Sequence, residues 1–123
     1  MNKPNGNHLH LMAKAETVKQ ADLAKRLRRA QDEMNNIKAQ AGSIDRMLEE
    51  HGGQLRAAQN SAQLAGALRL GQQLEGFRST LSMQKAQSER RLKKAQTELA
   101  QSGHKLDMLT DKAKKLDAQQ NSE

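Results

Sequence analysis

The 123-residue chain has no cysteine, tryptophan or tyrosine, a single phenylalanine (Phe77) and a single proline (Pro4). Without cysteine there is no disulfide framework and no thiolate metal site, which fits a reducing compartment. One aromatic in the whole chain leaves too little bulk for a layered globular core, and so little proline leaves few structured loops. Valine, isoleucine and the aromatics that favour strands are scarce, so a sheet is not expected. No apolar run approaches the roughly 20 residues that span a bilayer. The opening MNKPNGNHLH has no signal-peptide apolar segment. A cytoplasmic location is therefore expected.

What remains is mostly Gln, Ala, Leu, Lys and Arg, with 28% charged residues and 35% apolar ones. Leu, Ala and Met have high helix propensity, and this profile is that of a coiled coil within a single domain. From Leu23 the apolar positions run Leu27, Ala30, Met34, Ile37, Ala41, Ile44, Leu48, His51, Leu55, Ala58 and Ala62, in alternating steps of four and three. That is a heptad seam with one polar interruption. A second seam reads Leu74, Phe77, Leu81, Gln84, Ser88, Leu92, Ala95, Leu99, Ser102, Leu106, Leu109, Ala113 and Leu116. Two successive steps of four at Gln84, Ser88 and Leu92 read as a stutter that relaxes the supercoil.

Each helix carries a narrow stripe that needs a partner, and a short connection makes consecutive helices antiparallel. The expected fold is all-α, a long antiparallel two-helix coiled-coil hairpin. Helix one is expected at about 11–60, a turn at about 60–66 and helix two at about 67–117, flanked by disordered tails at 1–10 and 118–123. Asn7 is a candidate cap for the first helix. The Gly52-Gly53 pair costs a helix roughly 2 kcal/mol against alanine. A turn there would leave helices of unequal length, so it reads as a kink. A monomer is the simplest state, and a long parallel homodimer is the alternative that the alanines and polar seam residues leave open.

The pattern offers no enzyme. A two-helix rod lacks the layers and loops that enclose a pocket. The glycines form no phosphate loop, since no Gly-Lys-Ser/Thr follows a strand. His8 and His10 are too few for an ordinary metal site, and His51 at a seam position reads as a register-setting polar residue or a hydrated gap. No catalytic residue, cofactor, metal or small-molecule substrate is expected.

Net charge is +7 and the pI about 10.0. The basic residues cluster at Lys25, Arg26, Arg28, Arg29, at Arg90, Arg91, Lys93, Lys94, and at Lys112, Lys114, Lys115. A hairpin turning near residue 63 would set the first two clusters side by side. A solvated coiled-coil face, nucleic acid, an acidic protein and a membrane surface all account for such charge. Single-strand binders stack bases on aromatics, which these clusters lack. An amphipathic membrane-surface role is the weaker reading, because the apolar stripe is needed for the seam. Phe77 is either a core plug beside the turn or an anchor for a partner helix.

The run Leu74-Glu75-Gly76-Phe77-Arg78-Ser79-Thr80-Leu81 follows a Gly-containing turn. After it come a Gln-rich stretch, Ala-x-x-x-Leu repeats and the closing Leu109-Thr110-Asp111-Lys112-Ala113-Lys114-Lys115-Leu116. Over roughly residues 11–117 this resembles the FliJ family of flagellar export proteins and the related YscO-type proteins of virulence type III secretion. The resemblance implies a non-enzymatic, cytoplasmic hairpin similar to a rotary-ATPase stalk, peripheral to the membrane at most. Members of the family insert the terminal end into the ring-shaped export ATPase, promote its assembly and activity, contact the export gate nearer the turn, and bind substrate chaperones. By position, Phe77 and Leu81 match the gate-contacting face, and Lys112 and Lys115 match the basic terminal end. Lys25, Arg26 and Arg29 join them as partner-binding candidates on electrostatic grounds alone. The sequence departs from the family's pattern in having no tyrosine in the later half of helix one, where Gly52 and Gly53 stand.

Overall fold

Ala, Leu, Gln, Glu, Lys and Arg fill most positions between residues 6 and 57 and between 61 and 121, and no proline interrupts either stretch. Both are accordingly helical from end to end. A computed structural model describes residues 6–121. Among them there are two helices, α1 (Gly6–Ala57, 52 residues) and α2 (Ser61–Asn121, 61 residues). They pack against each other as an all-α helical hairpin. The chain divides into two units: a terminal unit pairing residues up to Ala30 with those from Leu92 onward, and a turn unit, Gln31–Arg91.

The helices extend further than the sequence pattern indicates. Residues 6–10, read as tail, belong to α1, and α2 continues through Asn121. The rest of the two expected tails, 1–5 and 122–123, lies outside the described residues. Asn7 lies within α1 and does not precede it.

The connection is three residues, 58–60, and not the expected 60–66. Asn60 sets it. Its side-chain oxygen accepts a 2.8 Å hydrogen bond from the Gln63 backbone N–H, while the Gln63 side chain accepts one of 2.9 Å from the Gln59 N–H. Asn60 thus caps α2, satisfying a donor that a helix start would otherwise strand, and the Gln63 side chain reaches one residue further back than in a capping box, to Gln59. No glycine has a positive φ. Gly66, once placed in the turn, is helical, and so are Gly52 and Gly53.

In the terminal unit, Leu9, Leu109 and Ala113 form a buried cluster, joined by Ala13 and Leu116. Glu16, Leu23 and Ala30 follow Leu9 at seven-residue intervals, all buried, and Ala95, Ser102 and Leu109 do the same on α2. In the turn unit the buried positions include Met34, Ile37, His51, Leu74 and Ser88. Leu74, Leu81 and Ser88 are again seven apart, and Leu81 is half-buried. Phe77 and Gln84, assigned to the seam by apolar spacing, are exposed. At heptad spacing the alternate positions between Leu74, Leu81 and Ser88 fall to Arg78 and Lys85, which are exposed as well. Their long stems can line an apolar stripe while the charged heads reach water. With those two admitted, the steps of three and four continue without the expected stutter.

The seam is thin. Of nine buried apolar residues, three are alanines, and four polar residues (Glu16, His51, Ser88, Ser102) are buried beside them. Ser88 is fully buried and its hydroxyl has no partner among the described residues. His51 donates from Nε2 to the Ala67 carbonyl, and its ring lies against Gly71, where an added Cβ would come within 2.5 Å of Cε1. Glycine at 71 is what lets the imidazole reach the opposing backbone.

Asn60→Ala should cost about 1 kcal/mol by removing the cap. Gly53→Ala should add about 1 kcal/mol, because the helical backbone already suits alanine and the site is open. Urea titration checks both, and a neutral Asn60→Ala would sink the account of the turn. Gly71→Ala should cost about 1–3 kcal/mol through overpacking against His51. In a His51→Ala background that cost should disappear, and a double-mutant cycle measures the difference.

Candidate interaction surfaces

In the terminal unit the sequence places a carboxylate in the seam: Glu16 falls seven residues after Leu9 and seven before Leu23. It is only 5% exposed. A buried charge needs hydrogen bonds and an opposite charge. The Ser102 hydroxyl donates to Glu16 Oε1 at 2.7 Å, and Lys105 Nζ lies 3.4 Å from Oε2. The Ser102 hydrogen bond is the main influence holding the carboxyl below its ordinary pKa. Desolvation opposes it, and Lys105 and Lys19 add to the lowering. Around this layer Glu16, Leu23, Ser102 and Lys105 join Lys19, Arg26, Glu98 and Gln101 in a groove of about 480 Å³. This polar layer was missed in the sequence because the seam was started at Leu23; the Leu9, Glu16, Leu23 spacing is the signal that could have shown it.

Lys25, Arg26 and Arg29 on α1, and Lys112 and Lys115 on α2, are all exposed and all in the terminal unit. Arg26 pairs with Asp22 at 3.1 Å. The other four have no acidic partner among the described residues. The cluster expected from Arg90 to Lys94 divides. Arg91 belongs to the turn unit and is bound to Glu33 at 2.7 Å, whereas Lys93 and Lys94 belong to the terminal unit, with Lys94 Nζ 3.9 Å from Glu98. His10 pairs with Asp117 at 2.8 Å. Among the described residues no group of three or more His, Cys, Asp or Glu is arranged to hold a metal, and no helix is long and apolar enough to cross a membrane.

In the turn unit Phe77 is 60% exposed. It is not a core plug, because Leu74 and Leu81 already occupy the seam and residue 77 falls on its flank. It joins Leu81, Ile44, Gln40, Ser43, Thr80 and Gln84 in an open groove of about 350 Å³. No lining residue is charged. Met47 and Leu70, each seven residues along its own helix from Gln40 and Phe77, are also exposed. Such flanking positions ordinarily carry Glu and Lys that pair across the helices, as Glu33 and Arg91 do here. Arg78, at a seam position by heptad spacing, reaches toward the other flank, 3.6 Å from Asp45 and 3.9 Å from Glu75. The turn unit is thus ion-paired along one flank and apolar along part of the other.

No known family, curated protein or solved structure matches this chain. The surfaces must be read from their own chemistry. They comprise a terminal unit with exposed basic residues and, in the turn unit, a shallow uncharged groove bordered by an aromatic ring.

Glu16 makes stability depend on acidity. Its folded-state pKa lies below the unfolded value of about 4.3, so its contribution is complete above that value and is lost as pH falls through the lower, folded one. Urea midpoints measured downward from neutral pH should fall more steeply for the native chain than for Glu16→Gln. Equal slopes would refute a stabilising carboxylate at this layer.

Proposed function

We propose that the chain is a non-enzymatic, stalk-like component of a bacterial flagellar or related type III export apparatus. It binds the ring-shaped export ATPase, promotes its assembly and activity, and links it to the export gate and substrate chaperones. One observation carries this reading beyond the resemblance to the FliJ family. The two residue sets which that resemblance and electrostatics single out differ in chemistry and fall in different units: Lys25, Arg26, Arg29, Lys112 and Lys115 exposed in the terminal unit, Phe77 and Leu81 around an uncharged groove in the turn unit.

Such a hairpin needs no catalytic group. By touching the subunits of a ring unequally it favours some subunit states over others, and the effect on turnover is the coupling free energy between contact and state. Exposed basic residues meeting acidic ring loops would accelerate and orient docking more than they would add affinity. The groove at Phe77 would seat an apolar side chain of the gate.

A second reading is a basic coiled coil that binds nucleic acid, favoured by the unpartnered lysines and arginines of the terminal unit. Two observations weigh against it: Arg91 is already neutralised by Glu33, and Phe77, the one phenyl ring of the chain, lies in the turn unit.

The deciding experiment mixes the chain with the export ATPase of its own organism and measures ATP turnover and co-migration on a sizing column. Stimulation with co-migration is expected, with no turnover by the chain alone. Phe77→Ala should shift stability by less than about 0.5 kcal/mol and spare ATPase stimulation, since the ring is exposed and in the turn unit. Gate binding should be lost. Absence of both co-migration and stimulation would overturn the stalk reading. Nucleic-acid binding that weakens steeply with salt, and that disappears in the Arg90, Arg91, Lys93, Lys94→Gln variant, would install the alternative.

A further inference from the structure

Helix α1 in the terminal unit is apolar on two sides, and only one of them faces the seam. Leu9, Ala13, Glu16, Gln20, Leu23 and Leu27 are buried or half-buried. On the opposite side, Leu11 and Val18 are 65% and 72% exposed. At 100° per residue Leu11, Ala15, Val18, Asp22, Lys25 and Arg29 share one outward stripe, with Lys14, Ala21 and Arg28 along its edge. All nine are exposed. The apolar residues are therefore not consumed by hairpin formation, and they are followed along the same stripe by Lys25 and Arg29. Asp22 is the one acid on it, and Arg26 holds its carboxylate.

We propose that this outward face of α1, residues 11–29, docks onto the surface of an anionic lipid bilayer. The charges are complementary: Lys14, Lys25, Arg28 and Arg29 have no acidic partner among the described residues, and four or more clustered basic residues on an amphipathic helix are what anionic headgroups attract. Leu11 and Val18 supply the apolar contact that charge alone lacks, reaching the boundary between headgroups and acyl chains. Geometry separates a bilayer from other acidic partners. The stripe is the convex back of a paired helix, which a flat surface can touch along its whole length. A nucleic-acid backbone has no use for exposed Leu11 and Val18, and a partner helix would meet Lys25 and Arg29 where a seam needs apolar residues. The inference does not rest on the export reading. Where both hold, ring and membrane draw on the same end of the chain and exclude each other there.

Flotation with phosphatidylcholine vesicles, with and without phosphatidylglycerol, tests it on the full chain. The chain should float only with the anionic vesicles. Each basic residue near an anionic surface is worth about fivefold, so K25Q/R28Q/R29Q should bind on the order of a hundredfold more weakly. L11S/V18S should lose about tenfold by forfeiting the apolar contact. Met83→Ser, which changes an equally exposed apolar residue in the turn unit, should bind as the native chain does. These residues lie off the seam, and unchanged circular dichroism verifies that each variant folds. Failure to float with anionic vesicles would overturn the proposal, and so would a comparable loss in Met83→Ser. Undiminished binding by L11S/V18S, together with equally tight binding to heparin, would overturn it in favour of a soluble polyanion.

Discussion

Everything in this protein depends on two narrow stripes burying each other. Each helix has a seam only about two residues wide per heptad, too slender to hold a layered core, so neither is stable without its partner. The seam is also poorly filled. Alanine stands where leucine would bury more, at Ala30, Ala95 and Ala113, and polar side chains replace apolar ones at Glu16, His51, Ser88 and Ser102. Burial therefore exceeds the entropy of ordering by little, and end caps and single hydrogen bonds weigh heavily in the balance.

A seam confined to one stripe leaves most of both helices facing outward, so the chemistry of this chain is surface chemistry. The exposed residues are not the uniform mixture of Glu and Lys that merely keeps a coiled coil soluble. In the turn unit Met47, Leu70 and Phe77 take flank positions that charged pairs would ordinarily fill. In the terminal unit the back of α1 carries Leu11 and Val18 ahead of a basic run. An exposed large apolar residue costs solubility and contributes nothing to the seam.

The α1 seam from Leu23 to Leu55 was legible because its residues, His51 apart, are apolar and alternate in steps of three and four. The hairpin followed from it. Apolar spacing draws Phe77, the one aromatic, into the seam although it lies on the flank, while the heptad step from Leu74 to Leu81 and Ser88 passes through the charged Arg78 and Lys85. Glu16 was invisible to apolar spacing. The turn was misread through glycine and helix length, although Asn60 and Gln63 stood at capping-box spacing in plain view. Of the surface candidates, the exposure of the basic residues was expected from charge alone. The groove beside Phe77 was not, since it is made by both helices and depends on which residue of α1 lies opposite which residue of α2.

That dependence gives the polar seam residues their purpose. Sliding one helix past the other by seven residues would keep seam against seam, so apolar residues alone distinguish the registers weakly. Polar and small residues distinguish them sharply. Glu16 needs the Ser102 hydroxyl and the Lys105 ammonium opposite it, and a slip would leave a buried carboxylate facing neither. His51 needs the Ala67 carbonyl and a residue without a side chain at 71, and among nearby seam positions only Gly71 provides one. Within each unit such a contact removes the alternatives at some expense in stability. In the turn unit the register held by the short connection and by His51 is the one in which Gln40, Ser43 and Ile44 meet Phe77 and Leu81, so an imidazole fitted to a glycine notch helps to hold the groove together.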